Sequence, residues 1–516
     1  MARALIFIHK SAGGEDLRRG KLKFPKINLY MLETVVLMGG ARADAPMAED
    51  FTDEFAGADL NDLRRGRRLR RVAAELAKAP GASISAASGG WSETIAAYRL
   101  LNCEGFAPQD LIAPHGRATA ARCAGHACVA VCQDTTEFDF TRMKATKGLG
   151  PLNDEHRRGF FMHSQYVVSE QGLPLGLLDA GIMLRDDATF RSTAARKQRP
   201  TAQKESQRWV DGYGTALELA KELPGCEVFS ISDREGDIYE VYEAWLDAGG
   251  GPRAEWIIRA NQDRALVKGV DGEPAILFAA LRCAPVLGEI EFGIRARKGT
   301  KKVKGSTVAT FRSARTVRQV VRALKITPRP PHRKGMKLPQ VSFWAVLAEE
   351  TDPPAGEDPI CWLLLTSKEV TTLEQARRIL GLYMRRWDIE VFHRVLKTGC
   401  RVESIQLKTG RAVIHALMIY AVIAWRILYL THLGRQCPDV PCGCVFEEAE
   451  WKSACAVVKR KKDAGEPSLS EFIGIIGKLG GHLGRKSDGA PGPQSIWQGL
   501  ARVRDFACAW LAFYGE

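Results

Sequence analysis

Four residues, Tyr383, Arg386, Glu390 and Lys397, recur at offsets 0, 3, 7 and 14. On an α-helix turning ~100° per residue these offsets fall within an arc of roughly 60°, with Arg394 just beside it. One face then presents a phenol, cations and a single carboxylate, which is not the composition of a core face. Such a stripe either meets solvent as a salt-bridged surface or lines a site where the carboxylate holds a metal and the cations hold phosphates. Asp134 follows the apolar run 127–132 (ACVAVC), and Asp233 follows 227–231 (EVFSI). Each is expected just past the C-terminal end of a short strand, where side chains enter the crevice of an open α/β sheet. Two aspartates and a helix glutamate can coordinate a pair of hard divalent cations. Phosphodiester chemistry needs that pair, one ion for the attacking oxygen and one for the leaving oxygen. Glu235 and Asp237, beside Asp233, read instead as helix N-terminal acids favoured by the dipole.

The elements that must position these groups follow from the pattern. Leu69, Val72, Ala73 and Leu76 recur at helical spacing, and Arg64, Arg65, Arg67, Arg68, Arg70 and Arg71 surround them. Six arginines in eight positions, with no acid between them, favour a nucleic-acid contact over a merely solvated face. Residues 83–92 (SISAASGGWS) read as a loop leading to a helix through Tyr98 and Leu101. Segments 160–169 and 174–184 flank the turn signal Glu170-Gln171-Gly172 and predict a hairpin. A helix over 205–223, the strand 227–231, a helix through Tyr239, Tyr242 and Trp245, and a strand over 255–260 follow. This order predicts an α/β layer fold with a mixed sheet. Residues 265–358 read as a β-rich basic insertion, and 360–366 returns to strand. Thr371 with Glu374 predicts a capping box opening one long helix over 372–397. The expected domains are a poorly patterned extension 1–46, a basic helical region 47–120, core segments 121–264 and 359–410 around the insertion 265–358, and a helical region 411–516.

Composition sets the outer bounds. The 516 residues carry 74 Lys+Arg against 60 Asp+Glu, a net +14, so a polyanion is the first partner to consider. The longest apolar run, 416–425, holds ten residues, too few to span a hydrocarbon core, and no membrane partner is expected. Thirteen cysteines and no secretory h-region point to free thiols in a reducing cytoplasm. Cys123, His126, Cys128 and Cys132, and likewise Cys437, Cys442, Cys444 and Cys455, lack the paired spacing of structural zinc sites. Internal Met31, Met38 and Met47 are each a candidate native start.

The segments Gln133-Asp134-Thr135-Thr136, 231–240 (ISDREGDIYE) and 383–399 (YMRRWDIEVFHRVLKTG) resemble DDE transposases of bacterial insertion sequences. The chain is most similar to insertion-sequence family four, the group of the transposon-five transposase, whose Tyr-(2)-Arg-(3)-Glu-(6)-Lys signature fits without a gap. The resemblance runs from about residue 51 to the C-terminus. It implies an RNase H-like core in which Asp134, Asp233 and Glu390 bind two Mg²⁺ or Mn²⁺. It also implies end cleavage that frees a 3′-OH, in some members a hairpin intermediate, and joining to target DNA. Tyr383, Arg386 and Lys397 would contact a phosphate near the 5′ end of the non-transferred strand, and Trp362 would accommodate a flipped base. Arg259 falls where the family places a DNA-contacting arginine, although Asn261 and Asp263 stand where the nearest members tend to be basic. The N-terminal helices match an end-recognition region, and the C-terminal helices a homodimerisation region. Two other readings are a catalytically idle DNA-binding derivative or inhibitor, and an RNase H-like nuclease without strand transfer. The acidic triad argues against the first and the Tyr-Arg-Glu-Lys face against the second.

Overall fold

The computed structural model describes residues 51–187, 204–267, 275–303, 306–333, 337–461, 464–485 and 488–514. The extension 1–46 and the candidate starts Met31, Met38 and Met47 lie outside the described residues. The chain divides into two compact units, one drawn from Asn28–Phe229 with Arg385–Glu516 and one containing Ser230–Met384.

In the first unit the 3₁₀ turn Phe51–Phe55 precedes helix α1 (Leu63–Lys78), capped by the Asp62 side chain, which accepts the Arg64 N–H at 2.8 Å. Its buried residues are Leu69, Val72, Ala73 and Leu76, the stripe the sequence predicts. The expected loop 83–92 contains one helical turn, Ile84–Ala87, because the Ser83 hydroxyl accepts the Ala86 N–H at 3.2 Å. Helices α2 (Trp91–Leu101) and α3 (Pro108–Cys123) lead into strand β1 (Cys128–Asp139). That strand is longer than expected and carries Asp134 in its middle rather than past its end. The run of polar residues 133–137 hides the continuation, since Asp134 to Glu137 are half-buried on both faces of the strand. After the short β2 (Gly150–Pro151), β3 (Arg158–Ser169) and β4 (Pro174–Met183) form the predicted hairpin, and β3 pairs antiparallel with both β1 and β4. Helix α4 (Gln207–Glu222) follows. Strand β5 (Glu227–Ser232) starts beside β1, with the Glu227 N–H donating to the Ala127 carbonyl at 2.8 Å.

The second unit contains α5 (Tyr239–Asp247), β6 (Glu255–Arg259), α6 (Leu277–Cys283), β7 (Val286–Ile294), β8 (Arg297–Val303), β9 (Ser306–Arg312), β10 (Arg315–Ile326), β11 (Phe343–Glu350), β12 (Cys361–Thr366) and α7 (Leu373–Met384). Five of its strands lie in the order β6-β12-β11-β10-β7, while β8 and β9 pair only with each other. Its core packs Tyr242, Trp256 and Phe343 with ring centroids 4.6–5.0 Å apart. The N-cap of α7 is Thr372, whose hydroxyl accepts the Gln375 N–H at 3.3 Å. The expected Thr371–Glu374 box is therefore displaced by one residue.

The expected single helix 372–397 is interrupted. It ends at Met384, restarts as α8 (Trp387–Arg394) after a turn at Arg385 and Arg386, and closes with the π-turn Val395–Gly399. Neither proline nor glycine marks the break. Arg385 is instead committed elsewhere, its Nε donating to the Glu170 carbonyl at 3.1 Å. The first unit resumes at Arg385 and ends with α9 (Gly410–Gln436), α10 (Glu448–Val457), α11 (Leu469–Leu479) and α12 (Pro493–Tyr514). The apolar run 416–425 lies inside α9, which is long and apolar enough to cross a membrane by composition. Its most apolar stretch is 89% buried within the protein, so α9 is a core helix. Its Trp425 Nε1 donates to the Pro174 carbonyl at 3.0 Å. Helices α11 and α12 approach closely at Gly499, where a Cβ would stand 1.9 Å from the Ile476 carbonyl oxygen.

Candidate active site

In the first unit, β1 presents Asp134 and α8 presents Glu390. One Asp134 oxygen is engaged by the Thr135 N–H at 2.8 Å. Its other oxygen lies 3.6 Å from Nη1 of Arg386, whose Nη2 donates to Glu390 Oε1 at 2.5 Å. A cation thus stands between two carboxylates, one from a strand and one from a helix. The oxygen donors suit a hard metal ion, and the guanidinium is a stand-in for such a charge. Among the described residues, no three or more His, Cys, Asp or Glu side chains are gathered into a metal-holding group.

Behind Asp134 lies a buried polar layer that the sequence did not reveal. Ser164 is the β3 partner of Asp134, and His163 the partner of Thr135. His163 shares hydrogen bonds with the Thr135 hydroxyl at 2.9 Å and with Gln133 Oε1 at 3.2 Å. Arg208, from α4, donates to the same Thr135 hydroxyl at 2.8 Å. Burial, helped by Arg208, pushes the His163 pKa down to about 3. His393, one turn beyond Glu390, meets the Ser164 hydroxyl with Nε2 at 3.1 Å. Burial first, then Lys397, His163 and Arg386, depress its pKa to about 3, so both imidazoles are neutral near pH 7. Only His393 had a sequence signal, its place three residues after Glu390. Ser164 had none, because register is invisible in one strand.

Lys397 lies on the π-turn, not on the regular helix. Its ammonium donates to the Glu137 carbonyl and sits 5.1 Å from the centre of the Phe138 ring. Burial lowers its pKa, with Glu403 and Glu137 opposing that effect. Arg394 is exposed on α8. The expected common face is thus not a single helical face. Arg386 falls in the turn between α7 and α8, and Tyr383 belongs to α7.

In the second unit, Asp233 directly follows β5, as expected, and its Oδ1 accepts the Glu235 N–H at 2.8 Å to cap a short turn. Asp237 departs from the expected dipole role. It is fully buried and receives the Arg264 guanidinium at 2.7 Å, the Asn261 N–H at 2.7 Å and the Tyr242 hydroxyl. Asp263 accepts the Phe278 N–H at 2.8 Å, a structural use that explains an acid there. Trp362 on β12 is half-buried over Phe292, Val317 and Ile360, with the Tyr383 ring 6.0 Å away and edge-on. Arg259 ends β6 opposite Leu364 and is half-buried.

The arginine-rich helix α1 separates into two sets. Arg65 donates to the Leu60 carbonyl at 2.9 Å, Arg70 pairs with Asp53 at 2.6 Å and Arg71 with Glu93 at 2.8 Å, so these serve the fold. Arg64 and Arg67 are exposed and Arg68 is half-exposed. The thirteen cysteines are free thiols, and burial raises Cys123 to about 12, against its use as a thiolate ligand.

Three segments match family models: residues 47–105 match a transposase DNA-binding region, 243–426 a transposase DDE domain and 422–512 a transposase Tn5 dimerisation domain. A basic helical region, an α/β core and a helical dimerisation region, in that order, define a DNA-binding transposase with an RNase H-like fold. The chain belongs to the DDE transposases related to that of Tn5, and a place in insertion-sequence family four is consistent with these matches. The matched segments contain Arg64, Arg65, Arg67 and Arg68, and also Arg259, Trp362, Tyr383, Arg386, Glu390, Arg394 and Lys397. Asp134 and Asp233 fall between them.

Proposed function

We propose that this transposase cuts DNA at the ends of its element by metal-dependent phosphoryl transfer and joins the freed 3′-OH ends to target DNA. Asp134, Asp233 and Glu390 serve as the metal-binding carboxylates, for two Mg²⁺ or Mn²⁺ ions. The observation that supports this reading is the Arg386 guanidinium between the two carboxylates, 3.6 Å from Asp134 and hydrogen-bonded to Glu390 at 2.5 Å, which brings both acids around one positive charge. When bound, the ions would activate a water or 3′-OH nucleophile and offset charge on the leaving oxygen.

The residues around that centre have distinct tasks. Arg386 carries a guanidinium fork that fits a phosphate. Lys397 adds a second cation for the 5′ end of the non-transferred strand, and Tyr383 a phenol. Arg394 and Arg259 extend the backbone contacts. Trp362 offers an aromatic face for a base displaced in a hairpin intermediate, a step that costs a few kcal/mol of stacking. Arg64, Arg67 and Arg68 contact end-DNA phosphates, with Arg65 bracing α1, and a homodimer holds two ends together.

The test uses linear DNA carrying the sequences that flank the gene. Asp134→Ala, Asp233→Ala and Glu390→Ala should each abolish cleavage while gel-shift binding to the same DNA persists. Retained cleavage in any of the three removes that residue from the metal centre. A wild-type protein that binds ends but never cuts them supports the idle-derivative reading.

A further inference from the structure

Ser164 stands directly across β1–β3 from Asp134, so the two side chains rise from the same face of the sheet. His393 lies three residues after Glu390 on α8, hence on nearly the same side of that helix. The Ser164 hydroxyl and His393 Nε2 are 3.1 Å apart, and both residues are buried, with exposures of 0% and 6%. One hydrogen bond therefore joins the strand residue facing Asp134 to the helix residue beside Glu390. Aromatic packing supports it, since Phe392 stacks on Tyr166 with centroids 5.0 Å apart, again from α8 to β3.

We propose that the Ser164–His393 hydrogen bond is a positioning strut that sets the separation of the Asp134 and Glu390 carboxylates, and so their affinity for a divalent cation. This rests on the metal-binding reading above. Neither residue touches the cation; each acts through a carboxylate-bearing neighbour. A helix supported by apolar contacts alone can slide or roll on a sheet, whereas a buried hydrogen bond cannot be remade elsewhere at low cost. Groups hydrogen-bonded directly to metal ligands typically change metal affinity 10–100-fold when removed, and a strut one contact further out belongs at the lower end of that range.

The decisive measurement is Mn²⁺ binding to the full-length protein by calorimetry or electron paramagnetic resonance, without DNA, alongside thermal melting. Ser164→Ala and His393→Ala should weaken Mn²⁺ binding about ten-fold or more. His393→Gln, whose amide nitrogen can take the place of Nε2, should recover most of it. Wild-type affinity in Ser164→Ala, with or without lowered stability, overturns the strut. So does equal weakening by His393→Ala and His393→Gln. Ser164→Ala loses a single oxygen and decides the matter if His393→Ala does not fold. Glu390→Gln separates the two ideas: if it binds Mn²⁺ like wild type, the metal-site reading itself fails. If Glu390→Gln is weakened and Ser164→Ala is not, only the strut fails.

Discussion

Glu54 anchors the start of the DNA-binding region, and its replacement by Gln has a calculable cost. It lies in the 3₁₀ turn Phe51–Phe55, which packs on α1 through Arg70 with Thr52 and Asp53. Its carboxylate takes Arg122 Nη1 at 2.7 Å and His115 Nδ1 at 2.5 Å. His115 Nε2 accepts the Leu177 N–H at 3.1 Å, so the imidazole is neutral and carries its proton on Nδ1, in keeping with the lowering of its pKa by burial. Burial alone would raise the Glu54 pKa, but the His115 hydrogen bond and the Arg122 charge outweigh it and hold the group at about 2 rather than 4.5. At 1.36 kcal/mol per tenfold change in proton affinity, this corresponds to at most roughly 3 kcal/mol of stability, since part of the lowering would need a charge on His115 that the neutral ring does not carry. Removing one partner of a buried ion pair costs about 3–5 kcal/mol, which agrees. Glu54→Gln should therefore lose about 3 kcal/mol at pH 7 in urea unfolding. It should also expose residues 51–78 to limited proteolysis and weaken DNA binding. The pH dependence has a fixed sign. Because the folded pKa is depressed, the contribution is complete above pH 4.5 and disappears as pH falls toward 2. The wild-type advantage should shrink across that window. Equal stability at pH 7, or a difference that persists unchanged at pH 3, refutes the reasoning.

Two other substitutions test the division between fold and chemistry. Asp237→Ala leaves the Arg264 guanidinium without its buried partner and should cost about 3–5 kcal/mol in thermal or urea unfolding; a variant of normal stability that lost Mn²⁺ binding would make Asp237 a ligand. On the proposed phosphate role of Lys397, Lys397→Ala should lose one charge-assisted contact of about 1.5–3 kcal/mol, a roughly 10–150-fold loss in end-cleavage rate, with Mn²⁺ affinity unchanged. Undiminished cleavage would mean that Lys397 serves only to tie Glu137 to the π-turn.

The amino-acid sequence determined the class of protein. Residue type and spacing singled out Asp134, Asp233 and Glu390 as candidates, though only Asp233 keeps its expected strand-end position, while Asp134 lies within β1; local patterns also marked the arginine helix and the apolar run of α9. Those signals are local, so a single chain carries them. Tertiary structure decided which charges are spent on folding. Arg70 and Arg71 look like phosphate contacts in the sequence and Asp237 like a helix N-terminal acid, but their partners Asp53, Glu93 and Arg264 are 17 to 27 positions away. It also decided that the signature residues do not share one helix. No helix-breaking residue marks the turn at Arg385 and Arg386, because Arg385 answers a carbonyl 215 positions earlier. Strand register, which places Ser164 across from Asp134, comes from pairing between segments. It appears only when both strands are present.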